Sequence, residues 1–208
     1  LAVAARRAVE AHERDLFDAQ RQALESFATD TADCPTVYVL GLAVPVGALL
    51  FNAAAVVHRG RILGCVPKEK LPTYNVFYEA RTFSRGGPGL ALDAAGVPLG
   101  DFLFEFDFGT VGVEVCEDAW APDGPMRRRC LSGAEIIVNV SASPYRMGIV
   151  ATRREMLATR AADNQTVLMY ANAVGAQDGL VYDGGGFIFQ NGRLCLLYTS
   201  PSPRDRTR

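Results

Sequence analysis

Two lysines and one cysteine carry the chemical promise of this sequence. Lys68 and Lys70 stand in Pro67-Lys68-Glu69-Lys70-Leu71-Pro72-Thr73-Tyr74, and they are the only lysines among 21 cationic side chains. Arginine cannot lose its proton in a protein, whereas a desolvated lysine can act as a base or as a near-neutral donor. A chain that writes arginine almost everywhere else places lysine where proton chemistry can run. Further on, Val111-Gly112-Val113-Glu114-Val115-Cys116-Glu117-Asp118-Ala119-Trp120 is a β-patterned run that ends on a cysteine followed by two acids. Alternation puts Val111, Val113 and Val115 on one face and Gly112 and Glu114 on the other, so Cys116 falls where strand yields to loop. Strand ends in α/β folds are where reactive groups reach substrate. The pair of segments points to a thiol nucleophile served by lysine and glutamate rather than by histidine.

Plainer readings compete with each of these. Most cysteines are small buried hydrophobes, and most loop lysines are solvated. Two carboxylates beside a thiol would raise its pKa unless a cation compensates, and the lysine loop offers one. Pro67 and Pro72 stiffen that loop, and Tyr74, Phe77 and Tyr78 are expected to give an amine apolar cover. Glu79 is close enough behind Lys68 for a short helical segment to bring it back. A cysteine–histidine pair is disfavoured, since only His12 and His58 exist and His58 sits at an apparent hairpin turn. Asp183-Gly184-Gly185-Gly186 precedes a strand and has no lysine or serine in phosphate-loop position, so it reads as a tight turn. Arg127-Arg128-Arg129 reads as a solvated helix face.

Positioning these groups requires strands and helices in alternation. Helical spacing over residues 8–27 predicts a buried stripe of Leu16, Phe17, Ala23, Leu24 and Phe27. Residues 36–42 are β-rich, and 51–57 with 61–66 form a hairpin turning at Gly60. Residues 85–100, with five glycines and two prolines, read as an irregular surface loop. Strands are expected at 102–108, 109–115, 135–140 and 167–172, with a helical turn or two at 126–131 and a helix at 149–163. Residues 187–189 and 194–197 pair across an Asn-Gly turn. The sum is an α/β layered domain.

At 208 residues and a formal net charge of −2, the chain is long enough for one sizeable domain and gives no reason to expect nucleic acid or an anionic membrane as partner. No apolar stretch approaches the roughly 18 residues of a membrane span. Five cysteines, with no CxxC pair and no histidine cluster, argue against a disulfide framework or a structural metal site and for a reducing, cytoplasmic setting. The start at Leu1 lacks both methionine and a signal-peptide pattern, which suggests a fragment. The Ser/Pro/Arg tail at 198–208 is expected to be disordered and foreign to the domain formed by 1–197.

The lysine loop with Phe77-Tyr78-Glu79-Ala80-Arg81, together with Val113-Glu114-Val115-Cys116-Glu117-Asp118-Ala119-Trp120, resembles the nitrilase (carbon–nitrogen hydrolase) superfamily. Within it the likeness is to the glutaminase domains of glutamine-dependent NAD synthetases. Asn139-Val140-Ser141-Ala142-Ser143-Pro144-Tyr145, Arg153-Arg154-Glu155-Met156, the run 170–178 and Tyr182-Asp183-Gly184-Gly185 support it, so that it covers residues 15–197. The resemblance implies a nitrilase-like αββα sandwich, incomplete at both ends. It implies Cys116 as a nucleophile that forms a γ-glutamyl thioester and releases ammonia, and Lys68 as the oxyanion's partner. Glu79 matches a second acid beside that lysine, while Tyr74, Glu117 and Ser143 fall where the family holds glutamine. Lys70 matches no catalytic position. No cofactor is implied in this domain; ATP and Mg belong to a C-terminal synthetase domain of the same polypeptide, with a homo-oligomer as the assembly. One departure stands out. The family's general-base glutamate has no counterpart in Arg6-Arg7-Ala8-Val9-Glu10-Ala11-His12-Glu13, and neither Glu10 nor Glu13 is assigned. A stand-alone amidase acting on another small amide and a non-catalytic scaffold of the same fold are the alternatives.

Overall fold

Side-chain direction alternates along an inner strand of the first sheet, and that alternation sets the layering. In β2 (Leu49–His58) Ala54 and Val56 face one way while Ala53 and Ala55 face the other, and all four are buried. Both faces are therefore covered, as the near-continuous apolar run requires. The structure, a computed structural model, describes the backbone of residues 2–177 and 179–199 and the side chains from Asp15 onward.

The first sheet has the order β1-β2-β3-β5-β4, with β1 at Val37–Val46, β3 at Arg61–Pro67, β4 at Ala91–Ala94 and β5 at Val97–Gly100. Its outer face carries Val44, Phe51, Ala53, Ala55, Cys65 and Leu99 under the long helix α1 (Ala2–Asp30). The second sheet runs β13-β12-β9-β8-β7-β6. Its members are β6 (Leu103–Phe106), β7 (Gly109–Val115), β8 (Ile136–Ser141), β9 (Val167–Asn172), β12 (Gly186–Gln190) and β13 (Arg193–Tyr198), while β10 (Val174–Gln177) and β11 (Leu180–Asp183) form a separate hairpin. The inner faces of the two sheets meet through Ala54, Val56, Val66, Phe104, Val111, Val113 and Val115. Helices α3 (Met126–Leu131) and α4 (Ile149–Asn164) cover the outer face of the second sheet, with Leu157 and Ala161 of α4 packed into the cluster of Ile137, Leu168 and Phe189. The layers read helix, sheet, sheet, helix, as the resemblance implied.

Strands β7, β8 and β9 are parallel neighbours. Their C-terminal ends bring Cys116, the Ser141–Ser143 turn and Asn172 to one edge, and the four-residue α2 (Glu117–Trp120) begins directly after the cysteine.

Several expectations need correction. Residues 85–100 are not wholly irregular: β4 and β5 form a hairpin turning at Ala95-Gly96, and β5 joins β3 in parallel through Cys65 and Leu99. Glycine density hid a strand pair whose few large residues, such as Leu99, are buried. On α1 the covered stripe is Phe17, Gln20, Leu24, Phe27 and Ala28, whereas Leu16 and Ala23 face water. Gln20 turns inward because its amide bonds both the N–H and the C=O of Ala43 on the free edge of β1. The arginine run is not one solvated face. Three consecutive helical residues span 200° of the axis, and Arg129 is buried while Arg127 stays in water. Tyr198 ends β13 rather than opening the tail; the rest of the tail from Ser200 lies outside the described residues. The hairpin β10–β11 had no expectation at all. The short helix after Cys116 had none either, and the remaining strands with the helices α3 and α4 fall where their periodicity put them.

Candidate active site

Lys68 is buried almost completely, at 1% exposure, at the end of β3. A lone ammonium there would be costly, and the chain answers with Glu79, whose two carboxylate oxygens lie 2.6 and 2.7 Å from Nζ. The segment between them is long enough to double back. It does so by tying Glu79 N–H to Pro72 C=O at 3.2 Å, which presents Glu79 on a 3-10 turn, Glu79–Arg81, and just beyond that turn Ser84 N–H ties the chain to Leu50 C=O of β2 at 2.6 Å. Asn52 on β2 fixes the pair from beneath: its C=O accepts Lys68 N–H at 2.7 Å and its Nδ2 donates to Glu79 at 3.4 Å. Gly86 closes the other side. Its N–H donates to Lys68 C=O at 2.8 Å, and a Cβ there would lie 2.7 Å from the Pro67 oxygen. The expected aromatic cover is different from what forms. Tyr74 and Tyr78 are more than half exposed, and the lysine is buried instead by the strand ends around it.

Cys116 holds φ +47° and ψ −99°, a conformation an L-residue adopts only under constraint. Three bonds supply that constraint. Its N–H donates to Val140 C=O at 2.9 Å, and its own C=O accepts from Ala119 N–H at 3.1 Å and Asn139 Nδ2 at 3.3 Å. The strained turn aims Sγ off the strand end. Burial pushes the thiol pKa up, and Lys68 and the Ser141 hydroxyl offset part of that rise while Glu79 and Glu117 add to it. At rest the group is a thiol. Forming the thiolate requires a proton acceptor when substrate arrives.

Two cavities meet at this cysteine. One, of about 450 Å³, is walled by Lys68, Glu79, Asn52, Phe83 and the ends of β7 and β8. The other, of about 610 Å³, is lined by Tyr74, Glu117, Trp120, Ser143, Tyr145 and Arg146. All six residues singled out in the sequence therefore converge, with Cys116 at the junction. Tyr74 Oη donates to both Glu117 oxygens, at 2.8 and 2.9 Å. Partial burial pushes the Glu117 carboxyl upward, and burial with the Glu117 charge pushes Tyr74 to about 12. Ser143 is held through its backbone: Asn172 Oδ1 accepts its N–H at 2.8 Å and Asn172 Nδ2 donates to its C=O at 3.1 Å. Asn172 is anchored in turn on Asp183, which receives the buried Arg153 through two bonds of 3.1 Å.

Residues the sequence reading passed over prove structural partners of the site. Asp118, Asn139 and Asn172 each bond backbone beside a candidate residue. Asn139 and Asn172 had a signal, since each is a polar residue in a largely apolar strand. Lys70 points away, to exposed Asp123 at 2.6 Å. His58 packs edge-on against Phe106 and lines neither cavity. Asp183-Gly184-Gly185 forms the turn into β12, with φ of +67° and +90° at the glycines. None of the five cysteines is bridged. Among the described residues no cluster of three or more His, Cys, Asp or Glu side chains could hold a metal, and no helix is long and apolar enough to cross a membrane.

Both the sequence and the helix–sheet–sheet–helix fold match known proteins. Residues 8–192 match the carbon–nitrogen hydrolase family, and the chain belongs to it. The glutamine-dependent NAD(+) synthetase of Aquifex aeolicus is 42% identical over 139 residues, covering 67% of this chain and 22% of that protein. The same-named protein of Thermotoga maritima is 37% identical over 169 residues, covering 81% of this chain and 27% of that one. The crystal structure of a glutamine-dependent NAD(+) synthetase from Cytophaga hutchinsonii superposes with a TM-score of 0.76 at 24% identity, over 86% of this chain and 30% of that chain. The chain thus spans about a quarter of the length of the curated relatives it matches.

Proposed function

We propose that the chain is the glutamine-hydrolysing part of a glutamine-dependent NAD synthetase. The observation that carries this reading is the buried Lys68 ammonium, gripped by both oxygens of Glu79 in a cavity that it shares with Cys116. Cys116 Sγ attacks the side-chain amide carbon, the C–N bond breaks, and the thiol proton leaves with the nitrogen as ammonia. Water then splits the thioester to glutamate and restores the thiol. Lys68 donates to the oxyanion that forms in each step, where a fixed donor in a water-poor site is worth most. Glu79 keeps that lysine oriented. No residue of the chain is assigned as the base that takes the thiol proton.

The larger cleft supports an amino-acid substrate over a neutral amide. Glu117 offers an anion, with Tyr74 holding it, and Arg146 supplies a cation in the same lining, as an α-amino and an α-carboxylate group require. Ser143 supplies a further polar contact. Ammonia released here would serve amidation of deamido-NAD in a synthetase domain, and ATP with Mg enters only there; no residue of these 208 is assigned to either. The five unbridged thiols support a cytoplasmic setting. A homo-oligomer completes the reading.

A glutamine-mimicking diazoketone tests it. Cys116 should be labelled ahead of Cys34, Cys65, Cys130 and Cys195, with glutamine protecting. Labelling spread over the exposed cysteines, with no protection, would refute the reading.

A further inference from the structure

Asp118 is 1% exposed and stands two residues after Cys116, yet it lines neither cavity. Its bonds are all to backbone, and they select three residues. Oδ1 accepts Glu69 N–H at 3.0 Å and Lys70 N–H at 2.8 Å, the two peptides that follow Lys68. Oδ2 accepts Val115 N–H at 3.2 Å, the peptide that precedes Cys116. One carboxylate therefore ties the lysine segment to the nucleophile segment, across 49 residues of sequence.

We propose that Asp118 is the positioning residue of this site, holding Lys68 and Cys116 in fixed register by gripping the backbone beside each. The proposal rests on the roles given above to those two residues. Among the described side chains Asp118 alone bonds backbone of both segments; Arg129 takes Val113 C=O but only the side chain of Glu69, and Tyr74 meets Glu117 side chain to side chain. Asn52 and Glu79 reach Lys68 alone, and Asn139 reaches Cys116 alone. The surroundings keep the grip in place. Glu114 of β7, protonated at neutral pH, Arg129 of α3 and Glu69 of the lysine loop are the titratable groups around Asp118. Arg129 is itself locked by Val113 C=O at 2.5 Å, Asp101 at 3.2 Å and Glu69 at 3.3 Å. A turn packs on the far side, where a Cβ at Gly124 would fall 1.9 Å from the Asp118 carbonyl oxygen. Burial lifts the Asp118 carboxyl to about 6, and the three N–H groups and Arg129 oppose that rise, so it is ionised at neutral pH. In that state all its oxygen lone pairs are free to accept. A neutral amide at the same place can accept from two of the donors but must turn an N–H toward the third.

The rate constant for alkylation of Cys116 by iodoacetamide, followed by mass spectrometry in the full chain from pH 6 to 9, reads the register directly. Asp118→Asn should fold, as its circular dichroism and thermal midpoint will report, yet lower that rate about tenfold and move its pH profile upward, because the ammonium no longer sits by the forming thiolate. In a Lys68→Met background the same change should have little further effect, since non-additivity is the mark of residues that act as one unit. Asp123→Ala, on the solvent side of the same loop, should leave the rate as it is. The proposal is overturned if Asp118→Asn alkylates at the wild-type rate and pH profile, or if its loss multiplies undiminished with that of Lys68→Met. Should the variant fail to fold, hydrogen exchange of the wild-type chain decides instead. Protection of the Glu69, Lys70 and Val115 amides should fall together as pH drops from 7 to 5, and independent exchange of the three would sink the idea. Failure of the functional reading looks different: no diazoketone labelling of Cys116 in the wild type, whatever Asp118 does.

Discussion

The floor and the mouth of this site are built on opposite principles. On the floor, Lys68 is buried, its charge is matched by Glu79 at two short contacts, and its backbone is held by Asn52, Gly86 and Asp118. At the mouth, Tyr74 and Tyr145 are more than half exposed, Arg146 is in water, and the Tyr74–Glu117 bond is open to solvent. Preorganisation matters where charge develops during reaction, because a donor fixed in advance needs no rearrangement at the transition state. Recognition of a flexible, hydrated amino acid tolerates a softer wall. Substitutions on the floor should therefore act on kcat by orders of magnitude, and those at the mouth on KM by far less.

The largest effect belongs to Cys116→Ala. Loss of a covalent nucleophile should lower glutamine hydrolysis on the order of 10⁴-fold or more. In a polypeptide that carries both activities, NAD formation from free ammonia should persist, and loss of both would mean a core collapse rather than a missing nucleophile. Lys68→Arg should come next, at about 10²–10³-fold in kcat, since guanidinium keeps the charge but neither the point geometry nor the fit to Glu79. A wild-type kcat in that variant would erase the distinction between floor and mouth.

Beneath the floor, Glu114 offers a test on stability rather than rate. It is fully buried, and neither carboxyl oxygen has a hydrogen-bond partner. Burial, aided by the Asp118 charge, pushes it from the ordinary 4.5 to about 8. The sign follows from linkage: the folded state holds this proton more tightly, so the stabilisation is complete below pH 4.5 and is lost as pH rises through 8. The full loss is on the order of 5 kcal/mol at 1.36 kcal/mol per unit. Glu114→Gln, which cannot ionise, should flatten the fall in thermal midpoint between pH 6 and 8. The raised carboxyl of Asp118 should leave a residual slope between about 4 and 6. An unchanged slope above pH 6 in the variant would mean that another group sets it.

At the mouth, Glu117→Gln and Tyr74→Phe should each raise KM for glutamine about tenfold with kcat within a factor of about three, the scale of one charge-assisted hydrogen bond. A kcat collapse in either would move that residue to the floor.

Most of the floor could be read in sequence because its residues break local statistics. A lysine between prolines, a cysteine closing a valine run and an asparagine inside an isoleucine-valine strand are each out of place for ordinary packing. The β4–β5 hairpin could not, because its glycines dominate the pattern and its one deeply buried residue, Leu99, lies in a four-residue strand. Asp118 was visible only as an oddity beside the thiol. Its role depends on a loop 48 residues away, a distance no local pattern spans. Arg129 misled for the opposite reason: three adjacent arginines look like one surface until a helix distributes them around its axis.

The smallest expected effect is the most discriminating for the two lysines. Lys70 and Lys68 share a loop, a charge and a 2.6 Å contact with a carboxylate, yet Asp123 is 82% exposed where Glu79 is 19%. An exposed pair is screened by water, so its removal moves little. Only the backbone N–H of Lys70 matters to the site, through Asp118, and no side-chain substitution other than proline removes it. Lys70→Arg should therefore leave kcat and KM within about twofold and the thermal midpoint nearly where it is. Lys70→Pro should instead cost kcat, because it deletes the 2.8 Å bond while Lys68 itself is untouched. Arginine and proline at position 70 with equal activity would show that the loop's register does not depend on that bond.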